Sequence, residues 1–166
     1  MKICTYPDPI LMKEAEPVLN IDQDIQDLID GMSTVMYAAP GIGLAANQVG
    51  VAKRVITFDV DYREKGKNLN IVINPTIVLA EDILEFEEGC LSVPDFMEKI
   101  TRNKYLKVQG LDRHGKPIDI EAQGLLAICL QHEIDHLNGK LILHHVSHLK
   151  RTLYKRKVEK LMKKAE

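Results

Sequence analysis

The segment that most constrains this chain is His132-Glu133-Ile134-Asp135-His136, which has the pattern His-Glu-x-x-His. Residues four apart on an α-helix lie on the same face, so His132 and His136 can bind one metal ion together. Glu133 projects from an adjacent edge of that helix, where it could accept a proton from a metal-bound water. A mononuclear catalytic site also needs a third protein ligand and one open coordination position. The motif therefore predicts a metal-binding helix and requires another segment to supply a ligand.

Cys90 is the strongest candidate for that third ligand. The extended zincin pattern would place a histidine at position 142, where this chain has Ile142. A neighbouring carboxylate such as Glu88 disfavours a free thiolate nucleophile, whereas a bound divalent cation deprotonates a thiol that it binds. Thiolate and imidazole together suit zinc, iron and nickel, and the spacing does not choose among them. Four other histidines fit a surface or core role better: His114, His144, His145 and His148.

Length and composition are those of one ordinary globular domain of 166 residues. The formal net charge of −2 gives no general affinity for nucleic acid, although eight basic and two acidic residues lie from Lys150 onward. Three cysteines without paired spacing argue for a reducing compartment. The chain shows no signal-peptide pattern and no apolar run of membrane-spanning length, so we expect a cytoplasmic protein with no membrane segment.

Periodic apolar residues predict three helices. The first begins after Asn20 or Asp22 as its cap and stops at Pro40. The second, over 124–138, carries the metal motif, and the third covers 147–165.

Strand composition marks five segments, at 53–60, 70–79, 85–94, 105–111 and 117–121. A charged connection over 61–67 joins the first two, Pro75 predicts an edge or a bulge, and residues 112–116 form a hairpin turn. This order predicts an α+β fold with mainly antiparallel sheets around a central metal-binding helix, with N-terminal and C-terminal helices. We expect residues 1–146 to form the catalytic part and residues 147–166 to be a basic helix of the same domain.

A run of small residues over 41–50 contains one polar amide that could face the site, Gln48. Small residues let the backbone approach a ligand or another strand, and a tight loop packed under the sheet is the alternative. The run is not a phosphate loop, because the Gly-Lys-Ser/Thr ending is missing, nor a dinucleotide fingerprint, because Ala46 occupies the last glycine position. If Gln48 is buried, it needs a hydrogen-bond partner.

Three segments together resemble the signature motifs of peptide deformylases, in the order in which that family has them. They are Gly-Ile-Gly-Leu-Ala-Ala-Asn-Gln at 41–48, Glu-Gly-Cys-Leu-Ser at 88–92 and His-Glu-Ile-Asp-His-Leu-Asn-Gly at 132–139. The resemblance spans roughly residues 5–150. It implies hydrolytic removal of the N-formyl group from the initiator methionine of nascent polypeptides, which releases formate. It also implies one divalent metal ion, iron(II) in the family and often replaced by nickel or zinc.

The resemblance also implies a role for each matching residue. Cys90, His132 and His136 are the implied metal ligands, Glu133 the acid/base, and Gln48 and the backbone N–H of Leu91 the oxyanion donors. The implied methionine pocket consists of Leu125, Ile128 and Cys129, with Ile42 and Phe86 as further walls. Backbone groups of Ile42, Gly43, Leu44 and Gly89 are expected to pair with the extended peptide as an added strand. Without the family, Leu125 and Ile128 would be interpreted as core residues, and Cys129 as pocket or core.

Two features near the motifs set further expectations. Many family members carry arginine just beyond the Ser-Val-Pro stretch, where this chain has Asp95-Phe96-Met97, so the resemblance supports no charged contact with the downstream peptide there. Arg102 matches a family arginine and either steadies a carboxylate of the site, Glu88 or Asp135, or lies on the surface.

The basic C-terminal segment has two interpretations. It is either a solvated amphipathic helix that packs through Leu149, Leu153, Val158 and Leu161, or a surface that faces RNA. Deformylases with such an extension are thought to dock on the ribosome through it, so the expected partners are the formyl-Met end of nascent peptides and the ribosome. We expect a monomer. Deletion after Lys150 should then weaken ribosome association with little effect on hydrolysis of a short formyl-Met peptide.

Two other functions compete with deformylation. A zincin-type endopeptidase would share the helix and Glu133 but use another third ligand, and it would keep its metal after a Cys90→Ala change. A structural metal module or a nascent-chain-binding protein would close the site with a fourth ligand such as His144.

Overall fold

The computed structural model describes residues 1–61 and 66–165. Its helices are α1 (Gln23–Ala38), α2 (Gly124–Leu137) and α3 (His148–Ala165), with short 3-10 turns at Pro9–Met12, Ala46–Val49 and Ile142–His144. Positions 62–65 of the predicted charged connection and position 166 of the predicted C-terminal segment lie outside the described residues.

Five strands form one sheet in the order in which they occur in the chain. They are β1 (Gly43–Ala45), β2 (Val55–Phe58), β3 (Asn70–Cys90), β4 (Val93–Leu111) and β5 (Pro117–Gln123). Every neighbouring pair is antiparallel. The predicted α+β fold, with an antiparallel sheet, a central helix and a helix toward each end, is confirmed.

The N-terminal helix α1 begins where the sequence predicts a cap. The carboxylate of Asp22, rather than Asn20, accepts a hydrogen bond from the backbone N–H of Ile25 at 3.2 Å, which satisfies one of the free donors of the first turn. Ile29, Met32 and other apolar residues at helical spacing are buried against β1 and β2. The small-residue segment after α1 therefore forms the edge strand β1 and the turn at Ala46–Val49, and α1 packs against that strand.

The main difference from the predicted elements is the long hairpin formed by β3 and β4. The two strands predicted over 70–79 and toward Cys90 are one continuous strand, and residues 95–104, for which the sequence predicts no strand, belong to β4. Five of those ten residues are charged, so strand composition is weak there, and pairing with β3 supplies the hydrogen bonds instead. The register shifts around Pro75, as predicted, because proline has no N–H to donate.

The central helix α2 lies across the sheet and buries one face in the main core. That core contains Ile56, Phe58, Leu106, Val108, Leu130, Ile134 and Leu137. Gly139, just beyond the helix, has φ of +68°, and a Cβ there would lie 2.6 Å from the carbonyl oxygen of Met12. Only glycine fits both the left-handed backbone and this close approach, so the end of α2 is fixed against the N-terminal segment.

The C-terminal helix α3 packs through a different face from the predicted one. Tyr154 is buried and Val158 is partly buried, whereas Leu149, Leu153 and Leu161 are each more than half exposed. The predicted leucine packing side is therefore wrong, because α3 contacts the start of β4, Leu143 and Tyr6 through Tyr154 and Arg151. Among the described helices, none combines the length and apolarity needed to cross a membrane.

Candidate metal centre

Helix α2 and the end of β3 bring three potential metal ligands to one point. The Sγ of Cys90 lies 3.3 Å from Nε2 of His136, and Nε2 of His136 lies 3.2 Å from Nε2 of His132. The three ligand atoms all lie within 4.8 Å of one another. The helical spacing places both imidazoles on one face of α2, and the turn between β3 and β4 places the thiol beside that face. The structure therefore brings together the three residues that were predicted as ligands.

The arrangement fits one metal ion with an open position. Ligand atoms about 2.0–2.3 Å from a tetrahedral metal lie roughly 3.3–3.6 Å apart, which is close to the separations between these atoms. Among the described residues, no fourth histidine, cysteine or carboxylate joins the group. His144 is exposed and its Nδ1 accepts from the backbone N–H of Leu141, so the closed four-ligand alternative finds no support.

The protonation of the two histidines shows how strongly this point attracts positive charge. Burial lowers the pKa of His132, but Cys90 and Glu88 beside it raise that pKa well above its ordinary value. Burial and the neighbouring His132 hold the pKa of His136 well below its ordinary value. Two imidazolium rings so close together would repel each other, so the opposite shifts follow from their proximity.

A buried chain of charges orients the first imidazole. Nδ1 of His132 lies 2.9 Å from Oε2 of Glu88, and since a carboxylate only accepts, Nδ1 is the donor. In the neutral ring this leaves Nε2 as the nitrogen that would bind a metal ion. Arg102 donates to both oxygens of Glu88 at 2.7 and 3.0 Å and to Asp135 at 2.6 Å. Asp135 in turn lies 2.7 Å from Nε2 of His145.

Arg102 is 5% exposed, so the surface interpretation is wrong and this arginine steadies both carboxylates. Burial opposes ionisation of Glu88, but His132 and Arg102 outweigh it and lower its pKa. The negative charge behind the imidazole is therefore retained, which makes the ring a better metal ligand.

Glu133 lines the pocket and is 4% exposed. Its Oε2 is buried without a hydrogen-bond partner among the described residues. Burial raises the pKa of Glu133 to about 7, despite attraction from His132. A carboxylate with a free oxygen and a pKa near neutrality is suited to accept a proton and then return it.

Gln48 is buried and has the hydrogen-bond partners that its position requires. Its Oε1 accepts from the backbone N–H of Ala45 at 2.9 Å, and its Nε2 donates to Oγ of Ser92 at 3.1 Å. The same nitrogen lies 3.8 Å from Sγ of Cys90. Leu91 follows Cys90 in the turn between β3 and β4. The side-chain amide of Gln48 and the backbone of Leu91 thus flank the thiol of Cys90.

A pocket of about 430 Å³ opens beside these groups. It is lined by the expected Ile42, Gly43, Phe86, Gly89, Leu125, Ile128 and Cys129, together with Gln48, Cys90, Leu91, His132 and Glu133. Leu44 and His136 are not among the lining residues, and the Leu44 side chain is buried in the core beneath α1. Asp95, Phe96 and Met97 form part of the rim.

Sequence reasoning missed Ser92, which is buried and fixes the amide of Gln48. Ser92 lies two residues after Cys90 in the second motif, and this position was the only sequence signal of its role. The remaining histidines do not reach the ligand group, since His114, His145 and His148 are exposed, as expected for surface residues.

Comparisons with known proteins agree with this geometry. The family model described as polypeptide deformylase matches residues 1–152. A peptide deformylase of Thermodesulfovibrio yellowstonii is 51% identical over 157 residues, which cover 95% of each chain. The crystal structure of a peptide deformylase from Legionella pneumophila has a TM-score of 0.91 at 46% identity and covers 98% of this chain and 95% of that one.

A second solved structure, the peptide deformylase from Ehrlichia chaffeensis in complex with actinonin, has a TM-score of 0.90 at 43% identity over 96% of each chain. These similarities extend over nearly the whole length of this chain, and the family match covers the three segments at 41–48, 88–92 and 132–139. The chain therefore belongs to the peptide deformylase family, whose members are metal-dependent hydrolases that remove the N-formyl group from the initiator methionine of nascent polypeptides.

Proposed function

We propose that Cys90, His132 and His136 hold the single metal ion of this deformylase. The observation that carries the proposal is the 3.3 Å separation between Sγ of Cys90 and Nε2 of His136, which joins two distant segments at ligand distance. When bound, a divalent ion at this point lowers the pKa of water and polarises a carbonyl group. The resemblance favours iron(II) as the native metal, with nickel or zinc as substitutes.

Glu133 is the proton carrier of the reaction. Hydrolysis of an unactivated formyl amide needs one group that removes a proton from water and then protonates the leaving amine. The free Oε2 and the location of Glu133 in the pocket support this role. A bound cation would favour the ionised carboxylate at the start of the cycle, which is the form that accepts a proton.

Gln48 and the backbone N–H of Leu91 stabilise the negative charge that develops on the formyl oxygen. Both flank Cys90, and the contact with Ser92 pre-orients the amide before substrate arrives. Loss of one such donor typically costs ~10²–10³ in rate. Replacement of Gln48 should therefore lower kcat more than it raises KM.

The apolar part of the pocket binds the methionine side chain. Leu125, Ile128 and Cys129 line one side from α2, while Ile42 and Phe86 line other parts, and a thioether suits such a soft apolar space. Ile42, Gly43 and Leu44 would pair with the extended peptide through their backbone, opposite Gly89. Strand β1 supports this pairing, because it lies at the edge of the sheet and β2 occupies only one of its sides.

Formate release from formyl-Met-Ala, measured anaerobically with iron(II), nickel or zinc, tests the activity and the metal together. Wild-type protein should turn over the peptide, and Glu133→Ala should retain metal but lose nearly all turnover. Actinonin, which is bound by the solved Ehrlichia relative, should inhibit the wild type. Equal turnover by the Glu133 variant would overturn its assigned role.

We also propose that the protein is a cytoplasmic monomer and that residues 147–166 belong to the catalytic domain. The basic face of α3 is proposed to dock on ribosomal RNA. Arg156, Lys160 and Lys163 are exposed on α3, which leaves them accessible to phosphate. Deletion after Lys150 would also remove the buried Tyr154, so charge reversal at those three positions is the cleaner test. Ribosome co-sedimentation should weaken while turnover of formyl-Met-Ala is kept, and unchanged sedimentation at low salt would refute the docking.

A further inference from the structure

The buried residue of α3, Tyr154, contacts the rim of the pocket directly. It is 6% exposed, and its hydroxyl donates to the carbonyl oxygen of Pro94 at 2.9 Å. Its ring meets that of Phe96 edge-on, with centroids 5.2 Å apart. Helix α3 therefore contacts the two residues on either side of Asp95, of which Phe96 lines the pocket.

The same ring also contacts the N-terminal segment. The rings of Tyr6 and Tyr154 lie 5.9 Å apart, and the backbone N–H of Tyr6 donates to the carbonyl oxygen of Ser92 at 2.8 Å. Tyr154 thus joins two segments that both meet the turn after Cys90. Two surface ion pairs, Lys157 with Asp95 and Lys150 with Glu98, add weaker links between α3 and the rim.

The rim segment has one residue in an uncommon backbone conformation. Asp95 has φ of +56°, in the left-handed region that residues with side chains rarely adopt. Asp95, Phe96 and Met97 all line the pocket. Met97 pairs with Gly89, and a Cβ added to that glycine would lie 2.4 Å from Sδ of Met97. The thioether therefore fills the space where a side chain of residue 89 would stand. The backbone of Gly89 itself is proposed to pair with the substrate.

We propose that Tyr154 is a positioning residue through which α3 sets selectivity for the residue after formyl-Met. It fixes the segment from Pro94 to Met97, so that Met97 presents an apolar surface to the next side chain of the peptide. This inference rests on the proposed function of the pocket. We expect the catalytic step itself to change little, because Tyr154 does not line the pocket and acts through Pro94 and Phe96.

The test compares two substrates in one enzyme. Formyl-Met amide ends before the rim, whereas formyl-Met-Leu-Ala places leucine against it. Tyr154→Ala should raise KM for the tripeptide about fivefold, the size expected when one hydrogen-bonded contact no longer orders the surface. The KM for formyl-Met amide and both kcat values should change less than about twofold. Tyr154→Phe, which removes only the hydroxyl, should shift the tripeptide KM in the same direction by a smaller factor.

Leu153→Ala is the matched control, because Leu153 is 55% exposed on the same helix. It should leave both KM values unchanged. A purely structural role for Tyr154 would lower the active fraction and so reduce both apparent kcat values together without changing the ratio of the KM values. That result, or unchanged kinetics in a folded Tyr154→Phe variant, refutes the inference. Failure of the wild type to release formate from either peptide would instead refute the proposed function.

Discussion

Gly43 lies closer to the proton carrier than any side chain would allow. A Cβ at this position would lie 2.5 Å from Oε1 of Glu133 and 2.7 Å from Sγ of Cys129. The change Gly43→Ala therefore acts on Glu133 while leaving the three proposed metal ligands in place. No left-handed backbone is involved at this glycine, so the effect comes from the added methyl group alone.

The geometry sets the size of the effect. An ordinary contact begins at 3.4 Å, so Glu133 has to retreat by about 1 Å, and a misplacement of that size can cost about 10² in rate. Overpacking of the same site should reduce stability by about 1–3 kcal/mol, partly offset by the lower unfolded-state entropy of alanine. We expect kcat to fall about 100-fold.

Formate release under saturating formyl-Met-Ala measures kcat, with metal content and thermal unfolding measured on the same preparation. Gly31→Ala, within helix α1, is the control. Its Cβ would meet only the flexible end of the Met1 side chain. That variant should gain about 0.5–1 kcal/mol of stability with unchanged kcat. A folded, metal-loaded Gly43→Ala enzyme with kcat within threefold of wild type would show that Glu133 need not occupy its observed position.

Three further outcomes are expected. Arg102→Leu removes the buried cation that pairs with Glu88 and Asp135 and should cost ~3–5 kcal/mol in urea unfolding. Arg113→Leu, which removes a surface pair, should cost less than about 1 kcal/mol, and equal costs would contradict the buried network. Cys90→Ala should abolish stoichiometric metal binding by equilibrium dialysis, and retention of metal would favour a zincin-like ligand set. Chelation of the metal should lower the melting temperature and expose the Cys90 thiol to labelling, and an unchanged melting curve would argue against a ligand role.

The metal helix could be predicted from local sequence because its chemistry depends on short spacings. His132 and His136 share a face of any α-helix, and the cap at Asp22 is equally local. Residue chemistry favoured Cys90 as the third ligand, and the family motifs supported the same choice. Residue types alone do not show that Cys90, 42 positions before His132, lies beside the helix. The register of β3 and β4 places it there.

Three features were decided only by tertiary structure. The charged part of β4 forms a strand because β3 offers a hydrogen-bonded partner, although the apolar pattern of its residues is weak. Arg102 lies inside because Glu88 and Asp135 meet it there. Helix α3 packs through Tyr154 rather than through its leucines, since the aromatic surface that it meets comes from segments about 60 and 150 residues earlier. Local spacing determined which groups could act together, and long-range packing determined which of them meet.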